Sequence, residues 1–434
     1  MPLVLAAAGC LALAVLSLLV PAAPGYDAWA WLTWGREVAH LELSTADGPA
    51  FKPLPVAVCA LLAPLGGAAP EIWLVVARAG ALAAVAMAFV VARGEVAAHR
   101  RGARRRVAVV AGAVAAAGVA LTGGFVLRAA VGDSEPLMLA LALGAWQRGR
   151  SGAPGQALAL ATGAALLRPE AWLFLALYGL WLWRRESRLR VPMAALALAI
   201  PAAWFVPEWL GSGEALRSTD RALVPNPGQP ALADRPALAS LQEAAALLLA
   251  PLAPAAVAGP RILALAGAGW IALIAVMAEA GFSGEPRYAL PGAALLAVAG
   301  AAGLARLPRA LALAGVAAVA AFGVVRAGDV ADLGPGLRHA SELAADLPRA
   351  IAAAGGRDAV IGCGRPAVGR LRGTLLTYHL EVEKRAVRAD GRPGAVTFRS
   401  RLRAGDPLSP PSGGRLRAAT AHWQVEADCR SAAG

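Results

Sequence analysis

Apolar runs long enough to enter a lipid bilayer recur along most of this chain. A hydrocarbon core about 30 Å thick is crossed by a helix of roughly 20 apolar residues. The sequence is 58% hydrophobic and only 16% charged, which leaves more apolar surface than a soluble core can bury. We therefore expect an all-α polytopic membrane bundle of about eleven transmembrane helices. The expected spans are 2–24, 71–92, 107–127, 136–147, 156–167, 170–183, 191–209, 241–258, 262–279, 288–305 and 309–326.

Arginines are concentrated in every second connector between these runs. These connectors are 93–106, 148–150, 184–190, the region of Arg261, and 306–309. Because positively charged connectors remain in the cytoplasm, the alternate connectors and the tail after Asp329 are predicted to be extracytoplasmic. The formal charge of +13 then follows from membrane topology, since the arginines form no continuous basic stripe for a nucleic acid. The pattern favours a multi-pass protein of a bacterial inner membrane.

Two features leave the topology open. The first run ends in Ala22-Ala23-Pro24 and resembles a signal peptide, but it lacks a basic start and is long enough to span, so an uncleaved helix is favoured. The runs around Arg168-Pro169-Glu170 are short for a bilayer and could form one helix broken at Pro169. The positive-inside rule favours two helices, because a single helix puts Arg150 and Arg184 on opposite sides.

The composition becomes more polar near Gly328, which predicts a transmembrane domain over 1–328 and a small extracytoplasmic α/β domain over 329–434. The expected elements of the second domain are helices at 338–354 and 366–380 and strands at 359–363, 384–389, 395–401 and 418–428. Cys363 and Cys429 both lie in this domain. In an extracytoplasmic compartment they could form a disulfide, with two unpaired thiols as the alternative.

The first outer connector carries an acid, Asp27, directly after the first span, then an amphipathic aromatic stretch, then Lys52-Pro53 before the chain re-enters the membrane. This order resembles the GT-C superfamily of polyprenyl-phosphate-sugar-dependent glycosyltransferases, such as mannosyltransferases and aminoarabinose transferases. Three further stretches strengthen the resemblance, namely 132–136, 167–172 and 285–291. The helix count and the outer C-terminal domain agree with it.

The resemblance implies that Asp27 acts as the catalytic base or orients the acceptor, because a hydroxyl that attacks an anomeric carbon must lose its proton to a nearby carboxylate. Many members have a second acid beside the first, whereas this chain has Ala28. Asp133 and Glu135 are the candidates to replace it. The structural alternative is that each of these acids only caps a helix.

The same resemblance assigns Lys52 to the phosphate of the lipid carrier, with Arg287, Tyr288 and Arg168 as further lipid-phosphate-binding candidates. Lysine is otherwise almost absent, Lys384 being the second of only two. A snorkelling lysine that anchors the next helix is the alternative for Lys52. No metal-ligand spacing is present, and a divalent metal held by acids of separate connectors stays open.

Two expectations concern the surroundings of these residues. Trp29, Trp31 and Trp34 could stack on a sugar, but an interfacial aromatic belt is the favoured interpretation. The connector 208–236 is predicted to be a mobile flap, because similar loops of the family order on substrate binding.

We therefore expect a membrane glycosyltransferase that moves a sugar from a polyprenyl-phosphate carrier to an extracytoplasmic glycan, lipid or protein acceptor, in contact with membrane lipid and without nucleic acid. Motifs of soluble enzymes that bind nucleotides are absent from the sequence, which agrees with a lipid-borne donor. The alternatives are a polytopic transporter or lipid-linked-sugar flippase, and a non-catalytic envelope assembly protein. A transporter predicts ionisable residues near the middle of the membrane.

Overall fold

The computed structural model describes residues 2–99 and 105–429, and it is mostly helical. Arg100, Arg101 and Arg104 of the first basic connector lie outside the described residues. The helices are α1 (Pro2–Leu16), α2 (Tyr26–Ala39), α3 (Pro53–Leu62), α4 (Ala69–His99), α5 (Arg105–Ala120), α6 (Phe125–Ala130), α7 (Glu135–Arg150), α8 (Pro154–Ala165), α9 (Ala171–Arg185), α10 (Arg190–Ser212), α11 (Arg217–Ala222), α12 (Pro236–Leu247), α13 (Leu252–Ala255), α14 (Arg261–Glu279), α15 (Leu290–Leu304), α16 (Arg309–Ala331), α17 (Leu333–Ala353), α18 (Gly356–Gly362) and α19 (Gly373–Leu380). The strands are β1 (Pro366–Val368), β2 (Val396–Arg399), β3 (Arg415–Ala419) and β4 (Gln424–Ala427).

The protein is an integral membrane protein by the length and apolarity of its helices. Within the described ranges, five helical stretches are long and apolar enough to cross a bilayer: Pro53–His99, Ser187–Ser212, Arg261–Glu279, Pro286–Leu304 and Arg309–Ala353. The predicted span 241–258 is instead a bent pair, Pro236–Leu247 and Leu252–Ala258, whose axes differ by 96°. The other predicted runs form shorter helices, so the count of eleven spans is not confirmed.

Helix α15 lies at the centre of the bundle, and small residues allow neighbouring backbones to approach it closely. A Cβ atom on Gly303 would lie 1.9 Å from the Ala255 carbonyl oxygen, and one on Gly300 would lie 2.1 Å from that of Leu252. Small residues at such crossings are how membrane helices gain van der Waals contact without a hydrophobic driving force. This packing fixes the position of the turn Pro286–Ala289, which directly precedes α15.

The chain turns back around Arg168, because Leu158 near the start of α8 belongs to the same hydrophobic cluster as Leu182 near the end of α9. Helices α8 and α9 are therefore two helices that run in opposite directions, and not one broken helix. The Arg168 guanidinium reaches back to Glu135 at the start of α7, at 2.7 Å. Helix α7 therefore runs from this point to Arg150, α8 returns from the Arg150 side, and α9 leaves again towards Arg184 and Arg185. Arginine connectors and the Glu135–Arg168 contact thus lie at opposite ends of the same helices.

Helix α2 is amphipathic in sequence but is enclosed between the bundle and the C-terminal region, residues 333–429. Its three tryptophans are buried, with Trp31 fully inaccessible and Trp34 only 1% exposed. They belong to a hydrophobic cluster that also contains Leu375 and Leu376 of α19. The expectation of an interfacial aromatic belt was wrong for these residues, because a segment of the chain itself covers the face that lipid headgroups were expected to cover.

The C-terminal region contains a four-stranded sheet in the order β1-β2-β4-β3, with β1 and β2 parallel and the other pairs antiparallel. Several predictions there are confirmed. The expected helix 338–354 lies within α17 except for its last residue, the expected strand 395–401 contains β2, and Cys363 is disulfide-bonded to Cys429.

Other predictions for this region were wrong. The expected strand 359–363 forms most of α18, because a five-residue apolar run fits a buried helix turn as well as a strand. The expected helix 366–380 begins as strand β1 and becomes helical only in α19. The stretch 384–389 forms a 3-10 turn and a single bridge. The strand expected over 418–428 is confirmed in part, since this stretch contains β4 and the end of β3 with a turn between them. The boundary at 328/329 stays a prediction; α16 ends at Ala331 and α17 begins at Leu333.

Candidate active site

A cavity of about 1660 Å³ lies between one end of the helical bundle and the C-terminal region. Its bundle side is built from residues at the N-terminal ends of helices. Asp27 lies in the first turn of α2, Lys52 precedes α3, and Arg168 and Glu170 precede α9. This places polar groups in the chain turns, where backbone groups also need water or a ligand, and leaves the helix interiors apolar.

Arg287 is the centre of one ion-pair group. Its Nη1 lies 3.0 Å from Asp27 Oδ2 and 3.5 Å from Asp133 Oδ2, and its Nε lies 3.1 Å from Glu285 Oε1. Arg128 donates from Nη1 to Asp133 Oδ2 at 3.0 Å. Asp27 and Asp133, two of the three acids that the sequence proposed for catalysis, therefore share one arginine, although they come from separate connectors.

Arg168 is the centre of a second group. It donates from Nη1 to Glu135 Oε1 at 2.7 Å, and from Nη2 and Nε to the two carboxylate oxygens of Glu170 at 2.7 and 3.2 Å. The contact with Glu170 is bidentate, which is the strongest geometry for an arginine and a carboxylate. The three side chains are buried, so each charge depends on its partners.

The Tyr288 ring joins the two groups. The Arg168 guanidinium carbon lies 4.1 Å from the ring centroid and that of Arg287 lies 5.3 Å from it. Both distances are within the range of cation–π attraction. The tyrosine thus separates two arginines whose like charges would otherwise repel each other.

Lys52 differs from the arginines because it has no carboxylate within ion-pair distance in the described part of the chain. Its Nζ donates to Ser134 Oγ at 2.9 Å and lies 5.0 Å from the centroid of a Trp31 ring. Burial lowers the pKa of Lys52, and Glu135 opposes that shift. A buried ammonium group with one neutral hydrogen-bond acceptor retains unused capacity for an anion.

Asp133 is only 3% exposed, and burial raises its pKa from 3.8 to about 6 against the opposing effect of Arg287. A carboxyl with such a pKa changes its protonation state near neutral pH, where general bases operate efficiently. Burial also raises the pKa of neighbouring Tyr26 to about 12.

Six of the seven residues proposed from the sequence line this cavity: Asp27, Lys52, Asp133, Arg168, Arg287 and Tyr288. The seventh, Glu135, is fully buried behind Arg168 and is in contact with it. Its position suits support of Arg168 better than contact with a substrate. The catalytic and phosphate-binding roles themselves stay predictions.

Sequence reasoning assigned no role to several residues of the site. Arg128 and Glu285 complete the group around Arg287, and Glu170 completes the group around Arg168. Glu170 and Glu285 lie in stretches that carried the family resemblance, two residues from Arg168 and Arg287 respectively. This closeness in sequence could have indicated that they belong to the site. Lys384, the second lysine of the chain, also lines the cavity and pairs with Asp47 at 3.0 Å. Because the chain has only two lysines, Lys52 and Lys384, the scarcity of lysine could have pointed to both.

The predicted flap contributes to the cavity and is attached to the loop before Lys52. Glu208 is 1% exposed and accepts hydrogen bonds from Arg217 Nε at 2.7 Å, Arg217 Nη2 at 2.9 Å, the Phe51 backbone N–H at 3.2 Å, and the Ser218 hydroxyl. Arg217 also donates to the Pro49 carbonyl oxygen at 2.8 Å. We call Glu208, Arg217 and Ser218 the loop clamp.

Within residues 2–99 and 105–429, no group of three or more His, Cys, Asp and Glu side chains is arranged to hold a metal ion. Most carboxylates on the bundle side of the cavity are instead paired with arginines, and Asp47 is paired with Lys384.

No protein-family model and no curated protein matches this sequence. Among solved structures, the chain is similar to the crystal structure of ArnT from Cupriavidus metallidurans bound to undecaprenyl phosphate. The match has a TM-score of 0.56 and covers 98% of this chain and 97% of that chain, at 15% sequence identity. The two chains therefore share a fold over nearly their whole length.

Proposed function

We propose that this protein is a membrane glycosyltransferase of the GT-C type that transfers a sugar from a polyprenyl-phosphate carrier to an acceptor outside the cytoplasm. One observation carries the proposal: Asp27, Asp133, Arg287, Arg168 and Lys52 line a single cavity at the ends of membrane helices. The similarity of fold to ArnT, which was solved with undecaprenyl phosphate, supports a polyprenyl-phosphate donor.

Lys52 is the first candidate for contact with the donor phosphate. Its ammonium group is buried without a carboxylate partner in the described residues, so a phosphate would supply the missing counter-charge. Arg287 is the second candidate, because it can exchange a carboxylate for a phosphate without leaving its place beside Tyr288. Arg168 is held on two sides by Glu135 and Glu170. We therefore expect its positive charge to attract the phosphate from a distance, without a direct hydrogen bond.

Asp27 is the proposed base. Its Oδ2 atom lies 3.0 Å from Arg287 Nη1, so this arginine occupies the carboxylate. When the donor phosphate attracts Arg287, the Asp27 carboxylate becomes free to accept the proton of the acceptor hydroxyl. Donor binding and base activation are then linked through one arginine. Asp133, which shares that arginine, is the second candidate for the role.

We infer the membrane orientation from the helix directions together with the positive-inside rule. The cavity and the arginine connectors lie at opposite ends of α7 and α9. If the arginine connectors are cytoplasmic by the positive-inside rule, the cavity and the C-terminal region are extracytoplasmic. An undecaprenyl carrier and this topology fit the inner membrane of a bacterium.

A transporter or flippase predicts ionisable residues near mid-membrane, with two states of access. The ionisable cluster here gathers at helix ends beside a large open cavity, which favours chemistry at the membrane surface. In a non-catalytic assembly protein, nothing would require a buried Lys52 that lacks an ion-pair partner in the described residues. Nor would anything require this lysine to share a cavity with two acids and two arginines. Both alternatives are less consistent with the geometry than sugar transfer.

The test is transfer of radiolabelled sugar by the purified protein from a panel of polyprenyl-phosphate monosaccharides to an extracted envelope fraction. We expect Asp27→Asn to lower kcat by about 10²- to 10⁴-fold, the usual contribution of a positioned base. We expect Lys52→Ala to raise the donor KM by about tenfold or more, because a charge-assisted contact to phosphate is lost.

The matched controls are Asp358→Asn, since Asp358 is 94% exposed and lies outside the cavity, and Lys52→Arg, which keeps the charge. Both are expected to retain most activity. Full activity of Asp27→Asn and Lys52→Ala would remove the site assignment. No transfer from any donor of the panel would favour the transporter or assembly interpretation.

A further inference from the structure

The two walls of the cavity differ in charge balance. Among the described residues that line it, the bundle side contributes five cations and six carboxylates, whereas the C-terminal region contributes five cations and two carboxylates. On the bundle side the arginines are largely neutralised by ion pairs. On the C-terminal side, Lys384 is paired with Asp47, and four arginines remain: Arg365, Arg370, Arg372 and Arg388.

None of these four arginines has a carboxylate within 4.0 Å in the part of the chain that the structure describes. Arg365 donates to the Arg385 carbonyl oxygen at 2.7 Å, Arg372 to that of Leu402 at 3.1 Å, and Arg388 to that of Pro393 at 2.8 Å. The Arg370 side chain makes no hydrogen bond there. Arg372 Nε is buried without a hydrogen-bond partner. Two carboxyls are near, and each accepts a backbone N–H: Asp390 from Arg392 and Asp406 from Arg403.

The fold gathers these arginines at one edge of the sheet. Arg365 precedes β1, and Arg370 and Arg372 lie in the turn that follows it. Arg388 pairs through its backbone with the other side of β1, since its N–H donates to the Pro366 carbonyl oxygen at 2.8 Å and its carbonyl accepts from Val368 at 2.9 Å. Together with Lys384 they outnumber the two carboxylates of this wall, and such an excess of positive charge along a cavity attracts an anion.

We propose that Arg365, Arg370, Arg372 and Arg388 form a second anion-binding subsite, which holds a phosphate or carboxylate group of the acceptor across the cavity from the carrier phosphate. Arginine suits this task because its planar guanidinium binds such groups with two parallel hydrogen bonds. The assignment to the acceptor rests on the proposed sugar transfer, whereas the anion subsite itself does not. The subsite would make the C-terminal region a determinant of acceptor specificity.

The experiment measures binding to the full-length protein in nanodiscs that are saturated with undecaprenyl phosphate. The probes are dihexanoyl phosphatidic acid for a lipid phosphate, inorganic phosphate for a free one, and an alkyl glucuronide for a carboxylate. Dihexanoyl phosphatidylcholine, a zwitterion without net charge, is the control. We expect at least one anionic probe to bind about tenfold or more tightly than phosphatidylcholine, without displacing undecaprenyl phosphate.

The variant Arg365→Gln/Arg370→Gln removes two exposed side chains of the subsite and is expected to weaken binding of that probe by about tenfold or more. Arg370→Lys keeps the charge and should retain most of the affinity. Arg415→Gln is the matched control, because Arg415 is an exposed arginine of the same region that does not line the cavity. All variants should still bind undecaprenyl phosphate, which also reports that they are folded.

The subsite is overturned if no anionic probe binds preferentially, if the probe competes with undecaprenyl phosphate, or if the double variant binds as the wild type does. Lys52→Ala distinguishes the two proposals, because it should weaken undecaprenyl-phosphate binding and leave probe binding unchanged. Absence of sugar transfer with intact probe binding would contradict the proposed function and not the subsite.

Discussion

At the scale of residues, the site depends on the sharing of partners between buried charges. Arg287 lies between Asp27 and Asp133, and Arg168 lies between Glu135 and Glu170. Breaking a buried pair by removing one partner costs about 3–5 kcal/mol, because the other charge stays buried. A ligand that brings its own charge can replace a partner without this cost. The arrangement is therefore suited to bind a charged headgroup and to release a carboxylate at the same time.

The raised pKa of Asp133 predicts a pH dependence. Burial raises that pKa to about 6, so Asp133 is ionised above this pH and protonated below it. Protonation removes the negative charge that helps to hold Arg287 and Arg128. We therefore expect kcat/KM for sugar transfer to be level above about pH 6 and to fall as the pH decreases below it.

Asp133→Asn tests the assignment of this titration. The amide cannot ionise, so the variant should show the low rate of the protonated enzyme at every pH and lose the acidic limb of the profile. The control is Asp358→Asn, which should keep the wild-type profile. An unchanged acidic limb in Asp133→Asn would assign the titration to another group.

At the scale of elements, the loop clamp connects the flap to the loop that carries Lys52. Glu208 is buried and holds both Arg217 and the Phe51 backbone N–H. We expect Glu208→Gln to leave Arg217 buried without its counter-charge and to release the flap locally, at a cost of about 3–5 kcal/mol. Amide hydrogen exchange over 213–235 should then become faster by more than tenfold.

Glu214→Gln is the matched control for the clamp, because Glu214 is exposed and lies in the same connector. Its exchange rates should equal those of the wild type. Unchanged exchange in Glu208→Gln would show that the flap is held by contacts other than the clamp. The donor KM of Glu208→Gln should also rise, since Lys52 follows Phe51 directly.

The disulfide between Cys363 and Cys429 closes a segment with a sequence separation of 66 residues. On the chain-entropy model, removal of such a crosslink lowers the free energy of unfolding by roughly 4 kcal/mol. We expect Cys363→Ser/Cys429→Ser to lower the Tm of the C-terminal region, and dithiothreitol to lower it in the wild type alone. A wild-type Tm that does not respond to the reductant under unfolding conditions would contradict a crosslink.

At the scale of the whole molecule, hydropathy and arginine placement predicted the helical bundle well, because lipid allows few alternatives to helices. The bent pair at 236–258 was missed, since an apolar run carries no signal of a 96° turn apart from its prolines. Composition likewise gave no indication that α2 is covered by α19, because Trp31 and Leu376 are far apart in sequence. Whether such a tryptophan faces lipid or is buried depends on which other segments of the chain pack against it.

The candidate site was predicted in part for a similar reason. Asp27, Lys52 and Arg287 stand beside prolines or glycines at the ends of apolar runs, where the sequence alone marks a polar turn. Arg365 and Arg370 also stand beside a glycine or a proline, but so do several other arginines of the tail, so the sequence does not single them out. Only the edge of the sheet beside β1 brings them to the cavity.

A cryo-EM structure of the full-length protein in nanodiscs with a non-hydrolysable polyprenyl-phosphonate sugar would show whether a lipid-linked phosphate binds among Lys52, Arg287 and Asp27. We expect the phosphonate within hydrogen-bond reach of Lys52 Nζ, Arg287 turned from Asp27 towards it, and the sugar inside the cavity. A headgroup outside the cavity, or one inside it that leaves Lys52 without contact and the Asp27–Arg287 pair intact, would contradict this mode of binding.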